Sequence, residues 1–149
     1  MQVSAQMEDY LEAIGNFCNT RGFARVKEIS SNLKVSTASV VSAIKNLKKL
    51  GLVKQEYYGY ITLTPKGELI SNSVINRHKI LSHFLENVLG LDKKLASIDA
   101  CKIEHAVGDE TLERLRAVAL FIEEEVHRDL KWKKEFGKFY KKYKSQKVL

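Results

Sequence analysis

The sequence is poor in cysteine and has no long apolar run. Its two cysteines, Cys18 and Cys101, are too few among 149 residues for a disulfide-built scaffold, so we expect reduced thiols in a cytoplasm. No apolar run approaches the roughly 20 residues that cross a bilayer. Glu8, Asp9 and Glu12 stand where a signal peptide would need its apolar segment. These absences predict a cytoplasmic protein without a membrane partner.

Acidic residues are scarce at the end of the chain. Residues 131–149 contain eight lysines and one acid, Glu135, so this tail alone carries the net charge of +7. Such a tail permits a polyanionic partner, although lysine-rich surfaces are often only solvated. Aromatic residues alternate with the lysines, and their spacing predicts a helix whose aromatic face packs on the preceding helices. They are Trp132, Phe136, Phe139, Tyr140 and Tyr143.

Hydrophobic periodicity predicts a mainly α protein, because the single proline, Pro65, leaves the helices uninterrupted. Ser36 or Thr37 caps the third helix, and Gly51 ends it. Two β-rich runs around Tyr58-Gly59 predict a hairpin. The predicted elements are helices over 5–19, 26–33, 37–50, 67–89, 93–107 and 109–129, with the hairpin over 52–64. Helix, short helix, capped helix and hairpin is the order of a winged helix-turn-helix.

The third helix carries small hydroxyl residues at its start and lysines further along. The major groove of B-DNA admits one α-helix, whose N-terminal side chains reach the base edges. Lysines can neutralise phosphates, and tyrosines of the wing can reach the adjacent backbone. The predicted DNA contacts are Ser36, Thr37, Ala38, Ser39, Ser42, Lys45, Tyr57 and Tyr58. The alternative is that the hydroxyls are only helix caps and the lysines only surface residues.

A second group of residues combines carboxylates, imidazoles and a thiol. Asp9 and Glu12 are three residues apart and share a face of the first helix. Cys101, Glu104 and His105 have the spacing i, i+3 and i+4, which also places them on one helix face. With His78 in the long helix, these donors could form a divalent-metal site. From the residues alone, the alternative is the more common arrangement, in which a helix cysteine belongs to the core and a surface carboxylate pair is solvated.

Together, the two groups resemble the metal-dependent transcriptional regulators that include the diphtheria toxin repressor and the manganese transport regulator. The matching stretches are MEDYLEAI (7–14), SNLKVSTASVVSAIKNLKKLGLV (31–53), YGYITLTPKGELI (58–70), INRHKILSHFL (75–85) and IDACKIEHAVGDETLERL (98–115). The resemblance implies a winged helix-turn-helix DNA-binding domain over 1–66. It also implies a helical dimerisation and metal-binding domain over 67–149, as in the short type of the family without an SH3-like domain.

The resemblance also implies a metal-ligand set of mixed type. Cys101 stands where the manganese-regulator type has a glutamate, and Asp9 stands where the toxin-repressor type has a methionine. Ser82 and Ser97 replace two ligands of the toxin-repressor type's ancillary site, so we expect that site to be absent in its usual form. The expected metal is Fe(II) or Mn(II), with Co(II), Ni(II) or Zn(II) as substitutes. The implied ligands are Asp9, Glu12, His78, Cys101, Glu104 and His105.

The expected function is a metal-dependent regulator that binds a double-stranded DNA operator as a homodimer and represses metal-uptake genes. Ligands from the first helix and from the second lobe would clamp the lobes together and set the angle between two recognition helices. We expect neither enzymatic activity nor a small organic substrate. The alternatives are a winged-helix regulator without metal sensing, a metalloenzyme with Glu104 or Glu12 as general base, and an architectural DNA binder driven by the basic tail.

Overall fold

The computed structural model describes residues 3–56, 58–128 and 132–146. Within these residues the chain forms seven helices and one two-stranded antiparallel sheet, so the predicted mainly α fold is confirmed. The elements are α1 (Ala5–Arg21), α2 (Val26–Leu33), α3 (Thr37–Lys49), β1 (Val53–Gln55), β2 (Ile61–Leu63), α4 (Pro65–Asn87), α5 (Lys93–Ile103), α6 (Asp109–Arg128) and α7 (Trp132–Gln146). They fall into two units, Met1–Asn76 and Arg77–Leu149. None of the described helices is both long and apolar enough to cross a membrane.

The first unit is a winged helix-turn-helix. Serine side chains begin two of its helices, since Ser4 accepts from the backbone amide of Met7 and Ser36 from that of Ser39. Each helix turns one apolar face inward, and these faces build a common core with the strands. The largest fully buried apolar members of that core are Leu11, Ile14, Ile29, Val40, Leu47, Leu52 and Ile61.

The predicted hairpin is present and forms the wing. Val53 pairs with Leu63 and Gln55 with Ile61 in antiparallel register. Gly59 lies in the turn with φ +77°, a left-handed conformation that glycine adopts without strain. Ala24, between α1 and α2, exchanges two backbone hydrogen bonds of 2.8 and 2.9 Å with Ile61. The wing is therefore tied directly to the helical core.

The long helix α4 begins at Pro65 and not at residue 67, so the predicted start was wrong. Proline is well suited to the first position of a helix because the missing N–H has no intrahelical partner there. The hydroxyl of Thr64 caps this start by accepting from the amide of Gly67 at 3.1 Å. Further along α4, the buried hydroxyl of Ser71 donates to the carbonyl of Leu11 at 2.9 Å. A side chain at Gly15 would overlap this hydroxyl, so α1 and α4 pack closely there.

The second unit has a small core of its own, formed by Leu81, Ala100 and Leu112 with Val107 packed against it. The helix predicted over 93–107 ends earlier, at Ile103. Beyond it the amides of residues 106 and 107 both bond to the carbonyl of Ile103, because the chain turns to bring Val107 onto the core. Glu104 therefore caps α5 in a helical conformation and His105 follows it, so the predicted end of this helix at residue 107 was wrong.

The basic tail forms the predicted helix, α7, with its aromatic residues one turn apart. The rings of Phe136 and Tyr140 stack at 6.2 Å between centroids. Both line a cavity of 490 Å³ with Leu89 and Leu95 of the second unit. Phe139 is not among the residues that line this cavity and is 63% exposed, so only part of the aromatic face of α7 packs on the other helices. The side chain of Trp132 lies outside the described residues.

Candidate metal centre and nucleic-acid interface

The outer face of α3 carries the predicted DNA contacts. Val40, Ile44 and Leu47 turn inward and are buried, whereas every predicted contact residue of this helix is exposed. Those residues are Ser36, Thr37, Ala38, Ser39, Ser42 and Lys45. The first of them also caps the helix, with its hydroxyl 3.0 Å from the amide of Ser39 and 2.8 Å from that residue's hydroxyl. The cap and the exposed hydroxyls thus lie together at the end that would enter a major groove.

A groove of 460 Å³ beside α3 contains two polar residues that the sequence analysis missed. Asn46 lies on the same side of α3 as Ser39 and Ser42, and Gln6 of α1 faces them across the groove. Amide side chains can read adenine edges. The helical spacing from Ser39 and Ser42 to Asn46 was a signal that could have identified Asn46; nothing in the sequence indicated Gln6.

The wing places a second set of groups at the surface of the first unit. Tyr58 is 83% exposed, as a backbone-contacting tyrosine requires, and Tyr57 lies outside the described residues. Arg25 was not predicted, yet its guanidinium donates to the hydroxyl of Tyr60 at 3.2 Å and lies 5.1 Å from that ring's centroid. A cation is therefore held at the base of the wing.

Two ionisable groups near these elements have perturbed pKa values. The guanidinium of Arg21 hydrogen-bonds Glu28 and lowers the pKa of that carboxyl, so the pair stays charged and locally neutral. Burial raises the pKa of the Cys18 thiol. Cys18 is therefore a less reactive thiol than a solvated one.

The candidate metal centre of the second unit is formed around Glu104. Its side chain is fully buried, although a carboxylate rarely is unless it is paired. His78 Nδ1 lies 2.7 Å from one carboxylate oxygen, Oε2. His105 Nε2 lies 3.4 Å from the other, Oε1, which accepts no hydrogen bond among the described residues. Within the second unit, the structure thus brings together three of the six predicted ligands.

This donor set fits a divalent transition metal. A buried carboxylate oxygen without a donor costs free energy, and a cation between the carboxylate and imidazole groups removes that cost. Imidazole and carboxylate ligands suit Mn(II), Fe(II), Co(II) and Zn(II). The buried, unsatisfied Oε1 of Glu104 is the observation that makes this cluster a candidate metal centre instead of an ordinary ion pair.

The other three predicted ligands are less buried than Glu104, each described within its own unit. Cys101 is exposed in the last turn of α5. Asp9 and Glu12 are half-buried on α1 of the first unit, one turn apart. Their part in the metal centre stays a prediction. Ser97, at an expected ancillary position, lies with its hydroxyl 3.3 Å from His78 Nε2 and so contacts the second nitrogen of that ring.

Comparison with known proteins matches both units to one family. Residues 2–61 match the model described as iron dependent repressor, N-terminal DNA binding domain. Residues 64–133 match the model described as iron dependent repressor, metal binding and dimerisation domain.

Individual relatives show the same similarity. An uncharacterized HTH-type transcriptional regulator of Methanocaldococcus jannaschii is 42% identical over 116 residues, which cover 76% of this chain and 92% of that protein. The HTH-type transcriptional regulator MntR of Lysinibacillus sphaericus is 34% identical over 118 residues, 79% of this chain and 84% of that protein. The structure of the manganese regulator SloR is similar with a TM-score of 0.68 and 28% identity over 79% of this chain. The present chain covers only 54% of that longer chain.

Proposed function

This chain belongs to the iron-dependent repressor family of metal-dependent transcriptional regulators, and we propose that it represses metal-uptake genes when Fe(II) or Mn(II) binds to it. Members of the family are transcriptional regulators and not enzymes. The family description names iron, and a similar structure is described as that of a manganese regulator. Both metals accept the oxygen and nitrogen donors gathered around Glu104.

The single observation that carries the proposal is the fully buried carboxylate of Glu104, which contacts an imidazole at each oxygen and whose Oε1 accepts no hydrogen bond among the described residues. We propose Glu104, His105 and His78 as ligands from the second unit, with Cys101 as a further donor from α5. Asp9 and Glu12 are proposed ligands because of the family resemblance alone. A bound cation supplies positive charge that offsets the buried carboxylate. In the absence of metal, Nδ1 of His78 contacts that carboxylate at 2.7 Å and Nε2 contacts the hydroxyl of Ser97 at 3.3 Å, so a metal bound by His78 would replace one of these two contacts.

The DNA partner would be contacted by α3 and the wing of the first unit. Small hydroxyl side chains at the start of α3 allow close approach to base edges, and Lys45 lies one turn beyond Ser42, where it can reach a phosphate. Arg25, held against Tyr60, adds a cation at the wing. We propose that these groups bind an operator half-site.

We propose that the regulator acts as a homodimer. The matched family model describes a dimerisation domain over residues 64–133. Three large apolar side chains of α6, Val118, Leu120 and Phe121, are 46, 48 and 65% exposed in the single chain. Apolar residues of this size favour burial in a subunit interface. Two copies of α3 would then reach two half-sites separated by whole turns of DNA.

Metal analysis of the purified chain, joined to a DNA-binding titration with Mn(II), Fe(II), Co(II) and Zn(II), tests the proposal. We expect one well-occupied metal per subunit. The cysteine at position 101 offers a single sulfur, whereas a glutamate there would offer two oxygens that could bridge two metals. We expect Fe(II) to be preferred with Mn(II) close behind, because a thiolate is a softer ligand than a carboxylate. Tight binding of two Mn(II) per subunit would contradict this ligand set, and binding of no metal would contradict the function.

A further inference from the structure

Arg77, which directly precedes His78 on α4, makes three polar contacts with the turn between α5 and α6. Its Nη1 donates to the carbonyls of Glu104 and Val107 at 3.2 and 3.1 Å. Its Nη2 pairs with Oδ1 of Asp109, the first residue of α6, at 2.5 Å. The Arg77 side chain is only one-quarter exposed. One guanidinium thus joins α4 to the end of α5 and the start of α6.

The position suits an arginine for two physical reasons. The last carbonyls of a helix have no intrahelical donor, and a cation near them interacts favourably with the helix dipole. Glu104 is the C-cap of α5, so its carbonyl is one of these acceptors, and the guanidinium of Arg77 places a cation beside it. The rigid guanidinium fork can also serve two carbonyls and a carboxylate at once, whereas a lysine ammonium on a flexible stem cannot hold all three in one plane.

We propose that Arg77 is a positioning residue for the metal centre, holding the 104–109 turn so that Glu104 and His105 present their donor atoms together. Two consecutive residues of α4 then fix both ends of one ligand, since Arg77 binds the main-chain carbonyl of Glu104 and His78 binds its side-chain carboxylate. The inference rests on the proposed function, because it assigns a role around the same centre. Residues that orient metal ligands typically affect metal affinity by about 10- to 100-fold when they are removed.

The test compares Arg77→Met with Arg114→Met in the full chain. Methionine keeps much of the apolar stem of arginine and removes every donor. Arg114 is a matched control, because it also pairs with a carboxylate of α6, Glu110 at 2.6 Å, but is 79% exposed. Affinity for Co(II) and Mn(II) is measured by competition with a chelator. We expect Arg77→Met to weaken binding by at least about tenfold and Arg114→Met to leave it unchanged.

Two further readouts separate positioning from general stability. In the metal-free protein, Arg77→Met should accelerate hydrogen exchange of the amides of residues 106 and 107 while the amides of α3 keep their protection. The absorption spectrum of bound Co(II) should change in Arg77→Met and return part of the way toward that of the wild type in Arg77→Lys, which restores one cationic donor group without the guanidinium fork. Asp109→Asn, at an exposed position, should show a smaller loss of affinity and provides the test should Arg77→Met fold poorly.

The outcomes distinguish this inference from the function on which it rests. Unchanged metal affinity in both Arg77→Met and Asp109→Asn, with a wild-type protein that binds metal, overturns the positioning role and leaves the proposed function intact. A wild-type protein that binds neither Co(II) nor Mn(II) overturns both.

Discussion

Replacing Glu104 by glutamine should stabilise the metal-free protein while removing its response to metal. Glutamine has the shape of glutamate without the charge. Its carbonyl can still accept from His78 Nδ1, now 2.7 Å from Oε2. Its amide would take the place of Oε1, 3.4 Å from His105 Nε2, and a neutral imidazole nitrogen can accept from it.

The magnitude follows from two opposing terms. Exchanging a charge-assisted hydrogen bond to His78 for a neutral one costs about 1 kcal/mol. Removing the charge from a fully buried carboxylate with one unsatisfied oxygen recovers several kcal/mol at most. We therefore expect a net stabilisation of about 1–3 kcal/mol, which raises the unfolding temperature by roughly 2–4 °C per kcal/mol in a chain of this size.

Thermal and urea unfolding with a chelator and with added Mn(II) provide the assay. The wild type should gain stability from the metal, whereas Glu104→Gln should begin higher and gain nothing. Glu110→Gln is the control, because this exposed carboxylate of α6 pairs only at the surface with Arg114, and it should change stability by less than about 0.5 kcal/mol. A Glu104→Gln protein less stable than the wild type without metal would refute the reasoning, since the carboxylate would then be well satisfied by its own neighbours.

Three other changes probe separate parts of the account. Gly15→Ala should destabilise the first unit by about 1–3 kcal/mol in urea unfolding, because the new Cβ overlaps the buried hydroxyl of Ser71. Gly108→Ala is the control, since its Cβ meets open space and should leave stability nearly unchanged. Equal effects of the two substitutions would contradict the close packing of α1 and α4. Lys45→Ala should reduce the slope of log affinity against log salt by about one, and an unchanged slope removes this lysine from the DNA interface. A thiol reagent near neutral pH should modify the exposed Cys101 before Cys18, because burial raises the pKa of the Cys18 thiol. Bound metal should slow the modification of Cys101. Labelling of Cys101 at the same rate with and without metal argues against its role as a ligand.

The fold could be predicted from the sequence where local signals are strong. Apolar periodicity and the serine at position 36 fixed α3, and the Tyr58-Gly59 turn located the wing. The errors arose at helix ends without a clear stop. The predicted α4 began two residues after Pro65, although proline suits the first turn of a helix. The helix α5 ends at Ile103 because Val107 packs on the core, which no nearby residue signals.

The candidate site could be predicted only as a set of residue types. The sequence indicated which carboxylates and imidazoles could act together, but the contact between His78 and Glu104 joins residues 26 positions apart and depends on packing. Arg77 gave no signal, because an arginine on a helix surface is usually solvated. Its importance appears only when its three acceptors are seen on another segment.

DNA affinity with and without metal is the most direct test of the central claim. The metal-loaded protein would first select a binding fragment from a random DNA pool. That fragment would then be titrated at one salt concentration with Mn(II), with Fe(II) and with a chelator. The account predicts that metal tightens specific binding of the wild type by about 5- to 150-fold, the usual range of coupling between two sites, and that Glu104→Gln abolishes this gain. Equal affinity of the wild type in metal and in chelator would contradict it.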